Sequence, residues 1–142
     1  MRVVGLDIGA RRIGVAVSDA TRTLARPVTV LTRSGSDEDA VRLVEAAIQR
    51  IAAEDDPVNG IVIGLPRRLD GSPNDMTPVV QALAARIEAA MGLPVTLQDE
   101  RLSSREAESR LAIREKDWRA RKQKLDAAAA AVILQDYLDE RK

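Results

Sequence analysis

Val3-Val4-Gly5-Leu6-Asp7-Ile8-Gly9, with Ile13-Gly14-Val15-Ala16-Val17-Ser18 directly behind it, decides the fold. Two runs rich in β-branched residues, joined by a short polar link, read as an antiparallel hairpin. The first strand runs from Arg2 to Ile8, Gly9-Ala10-Arg11-Arg12 forms the turn, and the second strand ends at Ser18. Past Asp19-Ala20-Thr21-Arg22 a third strand is expected over about Leu24 to Leu31, which completes a meander.

The remainder alternates. Ser34-Gly35-Ser36-Asp37 offers helix caps, and the following residues place Val41, Val44, Ala47, Ile48 and Ile51 on one helical face. Ile61-Val62-Ile63-Gly64 reads as a buried strand. The span 65–74 is rich in Pro, Gly and Arg, as a functional loop is. A helix over Thr77 to Met91 turns Val80, Leu83, Ala84 and Ile87 inward, and Gly92-Leu93-Pro94 launches a strand over Val95 to Glu100. Ser103 or Ser104 caps a third helix, and a last helix spans about Asp126 to Leu138. Between them Glu115 to Lys124 is basic and aperiodic and reads as a loop or a frayed helix. This order predicts an α/β fold in one domain over residues 1–142. Its mixed five-stranded sheet has a three-strand antiparallel meander plus two parallel strands, with helices on both faces.

Composition narrows the chemistry. The 142 residues include no Cys and no His, which excludes thiolate nucleophiles, His general bases and Cys- or His-ligated zinc. There is no Phe, so Val, Ile, Leu and Ala must build the core. Formal net charge is zero, yet residues 101–125 hold nine Lys or Arg against four Asp or Glu. A local basic stretch of this kind suits a nucleic-acid contact and equally a solvated helix face. No apolar run approaches the ~20 residues of a membrane span, and no signal peptide precedes the first strand, so a cytoplasmic location is expected.

Three carboxylates stand out. Asp7 interrupts an apolar strand and shares a face with Val3 and Gly5, and Gly5 is expected to leave open space beside it. Glu100 ends a strand at the carboxyl edge of the sheet, where open α/β sheets place their sites. Its neighbour Asp99 points the other way and reads as a solvated acid. Asp126 opens an alanine-rich helix and shares its apolar face with Ala129, Ala130, Ile133 and Tyr137. Each also has an ordinary explanation: Asp7 as a strand-ending turn residue, Glu100 as a loop acid, Asp126 as a helix N-cap. Buried acids are costly unless paired or bound to a cation. In a chain without His or Cys, convergent acids call for a hard cation, Mg²⁺ or Mn²⁺. Two such ions ~4 Å apart activate a water and stabilise a leaving oxygen in phosphodiester hydrolysis.

Four motifs resemble those of the YqgF family, described both as Holliday-junction resolvases and as pre-16S ribosomal RNA processing nucleases. They are Leu6-Asp7-Ile8-Gly9 with Arg11-Arg12-Ile13-Gly14-Val15-Ala16-Val17-Ser18-Asp19, Gly64-Leu65-Pro66 with Asp70-Gly71-Ser72, Asp99-Glu100-Arg101-Leu102-Ser103-Ser104, and Lys124-Leu125-Asp126 with Ala128-Ala129 and Ile133-Leu134-Gln135. The resemblance covers nearly the whole chain in order. It departs at Ser103-Ser104, where Thr is usual, and at Leu83, where Phe is frequent. It implies an RNase H-like fold and a metal-dependent nuclease site, with two ions held by Asp7, Glu100 and Asp126. RNA or branched DNA is then the substrate, and a symmetric four-way junction would call for a homodimer. Arg11, Arg12, Arg67, Arg68, Arg101 and Lys124 become candidates for gripping backbone phosphates, or else simply solubilise the surface. Trp118 is a candidate for base stacking or a packing anchor. Two rival readings remain: a nucleic-acid-binding module without strong catalysis, and a sugar-kinase- or actin-like ATPase, for whose two-domain cleft the chain is short.

Overall fold

A computed structural model of the chain describes residues 1–54, 56–99 and 118–141, with side chains from Asp126 onward in the last segment. Strands β1 (Arg2–Ile8), β2 (Arg12–Ser18) and β3 (Ala25–Thr32) form the expected antiparallel meander. Helix α1 (Asp37–Ala52) leads to β4 (Val58–Leu65), and helix α2 (Thr77–Met91) to β5 (Val95–Asp99). Helix α3 (Trp118–Asp139) closes the described chain. The sheet order is β3-β2-β1-β4-β5, with β4 parallel to both β1 and β5.

Alternation along the strands sorts the sheet into two unlike faces. Val4, Leu6, Ile8, Ile13, Val15, Val17, Ile61, Ile63 and Leu65 pack under α1 and α2, whose inward residues Val44, Ile48, Ile51, Val80, Leu83 and Ile87 are buried as their periodicity predicts. The other face carries Val3, Ala16 and Val62 under Ala130, Ile133, Leu134 and Leu138 of α3. Local chemistry sets the helix ends. Ser36 caps α1 by accepting from the Asp39 amide, and α2 stops at Gly92, which adopts a left-handed conformation (φ 67°).

Two expectations need correction. The last helix does not open at Asp126: residues 118–125 are already helical, so part of the basic stretch read as a loop or frayed end belongs to α3. Nor is there open space over Gly5. A Cβ added there would lie 2.8 Å from Leu134 Cβ and 3.1 Å from the Ala130 carbonyl oxygen. The glycine is there because a helix lies on it. The third expected helix, begun by Ser103 or Ser104, lies outside the described residues.

Candidate active site

The site is built on β1 and β2. Asp7 ends the α3 face of β1 and stands in register with Gly14 of β2. An added Cβ on Gly14 would lie 1.9 Å from the Asp126 carbonyl oxygen and 2.6 Å from its carbonyl carbon. No other residue type fits, so the backbone of α3 rests directly on the residue paired with Asp7. That contact delivers Asp126 to the Asp7 end of the sheet. The eight helical residues ahead of Asp126 remove the N-cap explanation for this acid. Its neighbours on the stripe, Ala129, Ala130 and Ile133, are buried as expected.

Arg12 lies on the same face two residues before Gly14. Its Nε is 3.1 Å from Asp126 Oδ2, and both side chains are about a quarter exposed, at 27% and 29%. Oδ2 itself is buried, and the contact is an ion pair rather than an aligned hydrogen bond. Arg12 was a candidate for gripping phosphate; here its guanidinium faces a carboxylate.

The loop that carries Arg11 and Arg12 is tightly braced. Gly9 N–H donates to the Arg12 carbonyl at 2.8 Å, and Arg33 N–H donates to the Arg11 carbonyl at 2.8 Å. The Arg33 side chain, only 5% exposed, donates from Nη1 to the Gly9 carbonyl at 3.0 Å and meets Asp37 Oδ1 at 3.3 Å. Sequence reading missed Arg33. The available signal was its spacing of four residues from Asp37 at the start of α1.

The span 65–74 is an ordered hairpin at the carboxyl end of β4, the strand beside β1. Arg67 pairs with Pro73, the Arg68 amide donates to the Ser72 carbonyl, and Asp70 accepts from the Ser72 amide and hydroxyl. Buried Thr77 ties its base by donating to the Pro66 carbonyl. Arg67 and Arg68 are exposed on this hairpin, and Arg11 is exposed on its own loop.

Glu100 and Arg101 lie outside the described residues, as does the Lys124 side chain. Among the described residues no three acids form a metal cluster. Asp99 is exposed in register with Leu65, so β5 ends at the same edge of the sheet as the Arg67 hairpin.

The model of the RuvX family, described as a Holliday junction resolvase, matches residues 1–140. The chain belongs to the RuvX family. Relatives at this level of similarity bear the provisional name pre-16S rRNA nuclease. One from Anaeromyxobacter dehalogenans (strain 2CP-C) is 45% identical over 141 residues, covering 99% of this chain and 98% of the relative. Another, from Thiobacillus denitrificans, is 42% identical over 139 residues, covering 98% and 92%. Among solved structures, T. thermophilus RuvC in complex with a Holliday junction substrate superposes with a TM-score of 0.57 at 17% identity, covering 99% of this chain and 96% of that one. The Fowlpox virus resolvase in complex with Holliday junction DNA gives 0.51 at 12% identity, with 99% of each chain covered. At such identities the likeness establishes the fold, which is RNase H-like.

Proposed function

We propose that the chain is a metal-dependent nuclease that hydrolyses phosphodiester bonds in structured nucleic acid, and that its substrate is the 5′ end of precursor 16S rRNA. The observation that carries the reading is the seating of Asp126 on Gly14, the partner of Asp7. It brings two acids from distant parts of the sequence to one end of one sheet face. The names borne by relatives at 42–45% identity supply the substrate.

The donors suit a hard cation. Asp7 and Asp126 offer carboxylate oxygens, the chain has no softer His or Cys ligand, and the Asp126 carboxylate already draws a cation in Arg12. Asp7, Asp126 and Glu100 are proposed to hold Mg²⁺ or Mn²⁺, two ions in all, with Glu100 entering after β5. Such ions supply an activated water and neutralise the leaving oxygen. The protein's own part is to fix the acids on rigid backbone and to hold the strand. Arg11 on the braced loop and Arg67 and Arg68 on the hairpin are exposed at the same edge of the sheet and are proposed, with Arg101 and Lys124, to hold backbone phosphates.

The family description favours a second substrate, the four-way DNA junction. Cutting it symmetrically takes two sites and hence a homodimer. Among the described residues no helix is long and apolar enough to cross a membrane. A cytoplasmic location is proposed on the ground of the substrate, a ribosomal RNA precursor.

The deciding experiment compares wild type with Asp7→Asn and Asp126→Asn on precursor 16S rRNA, four-way junctions and single strands, with Mg²⁺ or Mn²⁺. Loss of cleavage by at least about a hundredfold in both variants, with nucleic-acid binding kept, is expected. Equal activity in all three proteins would sink the site assignment. Cleavage of junctions but not of the rRNA precursor would replace the first substrate by the second.

A further inference from the structure

Arg12 and Asp126 are held on backbones that have little freedom to part. Arg12 opens β2, its carbonyl accepts from Gly9, and the preceding residue is pinned by Arg33. Asp126 is fixed by the contact of its own carbonyl with Gly14. The ion pair between them is therefore made or broken by rotation of side chains alone, and the Arg12 side chain is exposed enough to swing. A guanidinium is always charged and its planar fork fits a phosphate as well as a carboxylate. The carboxylate it covers is one of those proposed above to hold the metal ion.

We infer that Arg12 is an internal competitor for the Asp126 carboxylate, released to a backbone phosphate of the nucleic acid when a divalent cation takes its place. The inference rests on the proposed metal site and adds a regulation to it. Arg12 holds Asp126 in its ligating position, suppresses cation binding to the protein alone, and becomes free to grip the substrate only as the cation arrives. Cation and nucleic acid then strengthen one another's binding, and linkage makes that coupling equal in both directions.

The test is calorimetric titration of the full chain with Mn²⁺, without nucleic acid. Arg12→Gln is expected to bind Mn²⁺ about three- to fivefold more tightly than wild type, the scale of losing one partly exposed ion-pair rival. Arg12→Lys keeps the charge and should stay near wild type. Arg11→Gln removes the same charge from the neighbouring, exposed position and should change the affinity less than about twofold, because solvent screens it. Asp126→Asn should lose most of the binding. In a second measurement, Ca²⁺ should tighten wild-type binding to a four-way DNA junction, and Arg12→Gln should lose that gain. Equal or weaker Mn²⁺ binding by Arg12→Gln, with Asp126→Asn still destructive, would overturn the competition and leave the metal site standing. A gain of the same size in Arg11→Gln would reduce the effect to a general field and overturn it as well. No Mn²⁺ binding by wild type would remove the metal site and the inference together.

Discussion

The two faces of this sheet are packed by opposite rules. Under α1 and α2 the strands present large aliphatic side chains, and Leu6, Ile13, Ile61 and Ile63 are essentially inaccessible to solvent. Under α3 they present Gly5, Gly14 and Ala16, so that the helix backbone touches the strand backbone at Gly14 and nearly does at Gly5. The thick face buries area, which is the main source of stability. The thin face fixes distance. A helix resting on glycines has no side-chain cushion to absorb error, and the acid it carries is placed by contact of main chains. Both candidate metal ligands of the described chain, Asp7 and Asp126, are on the thin face.

The most damaging way to break the comparison is Gly14→Ala. One methyl group would overlap the Asp126 carbonyl, a backbone atom that cannot rotate aside, so α3 must lift from the sheet. A loss of at least about 3 kcal/mol in urea unfolding is expected. Mn²⁺ binding should fall even under conditions where the variant is folded. Leu6→Ala is the matching change on the thick face. It deletes a fully buried side chain and should cost about 2–5 kcal/mol. Cleavage per folded molecule should nevertheless survive. A folded Leu6→Ala protein without activity would show that the faces do not divide stability from site geometry.

The thick face was the legible one. Periodicity alone identified the inward residues of α1 and α2 and the apolar strands, because large residues at regular spacing signal burial directly. The thin face was misread at Gly5. A glycine in a strand is equally consistent with a gap and with a close neighbour, and only the covering element decides between them. The start of α3 was hidden for a related reason. Residues 118–125 show no apolar period in sequence, yet Arg, Ala, Lys, Gln and Leu are strong helix formers, and propensity was the better guide. Asp126 was singled out for the right stripe but as the wrong end of a helix. Arg33 escaped notice because a cation at a strand end reads as solvent-facing, whereas its guanidinium is buried against the Gly9 carbonyl.

Gly60→Ala tests how far the thin-face rule extends. Gly60 pairs with Val3 on that face, but an added Cβ would meet only the Val3 methyl carbons, at 3.9 and 4.0 Å. The expected change in unfolding free energy is within about 1 kcal/mol and toward stabilisation, since alanine restricts the unfolded chain more than glycine does. A large loss would mean that close packing is a property of the whole face rather than of the track of α3.

The smallest expected effect separates the two ends of α3. Near Asp126 the main chains of helix and strand meet directly, while at the far end polar bonds add to the burial of Leu134 and Leu138. Gln135 accepts from the Ala25 amide and donates to the Thr23 carbonyl, both at 2.9 Å. The Thr23 turn in its turn depends on Asp19, whose carboxyl lies below its usual pKa, first because the Thr23 amide donates to it and then because the Leu24 amide does. A depressed carboxylate stabilises the fold above its ordinary pKa and loses that contribution as pH falls through its folded value. Acid should therefore loosen the turn and the Gln135 end of α3 in a way that Asp19→Asn abolishes, read from the pH dependence of the Thr23 and Ala25 amide resonances. The Gly14 and Ala127 amides should not follow the part of the transition that Asp19→Asn abolishes, because the contact of Gly14 with the Asp126 carbonyl is one of main-chain atoms remote from that turn. If they move together with Thr23, α3 responds as one rigid rod, and the position of Asp126 is set by both of its ends.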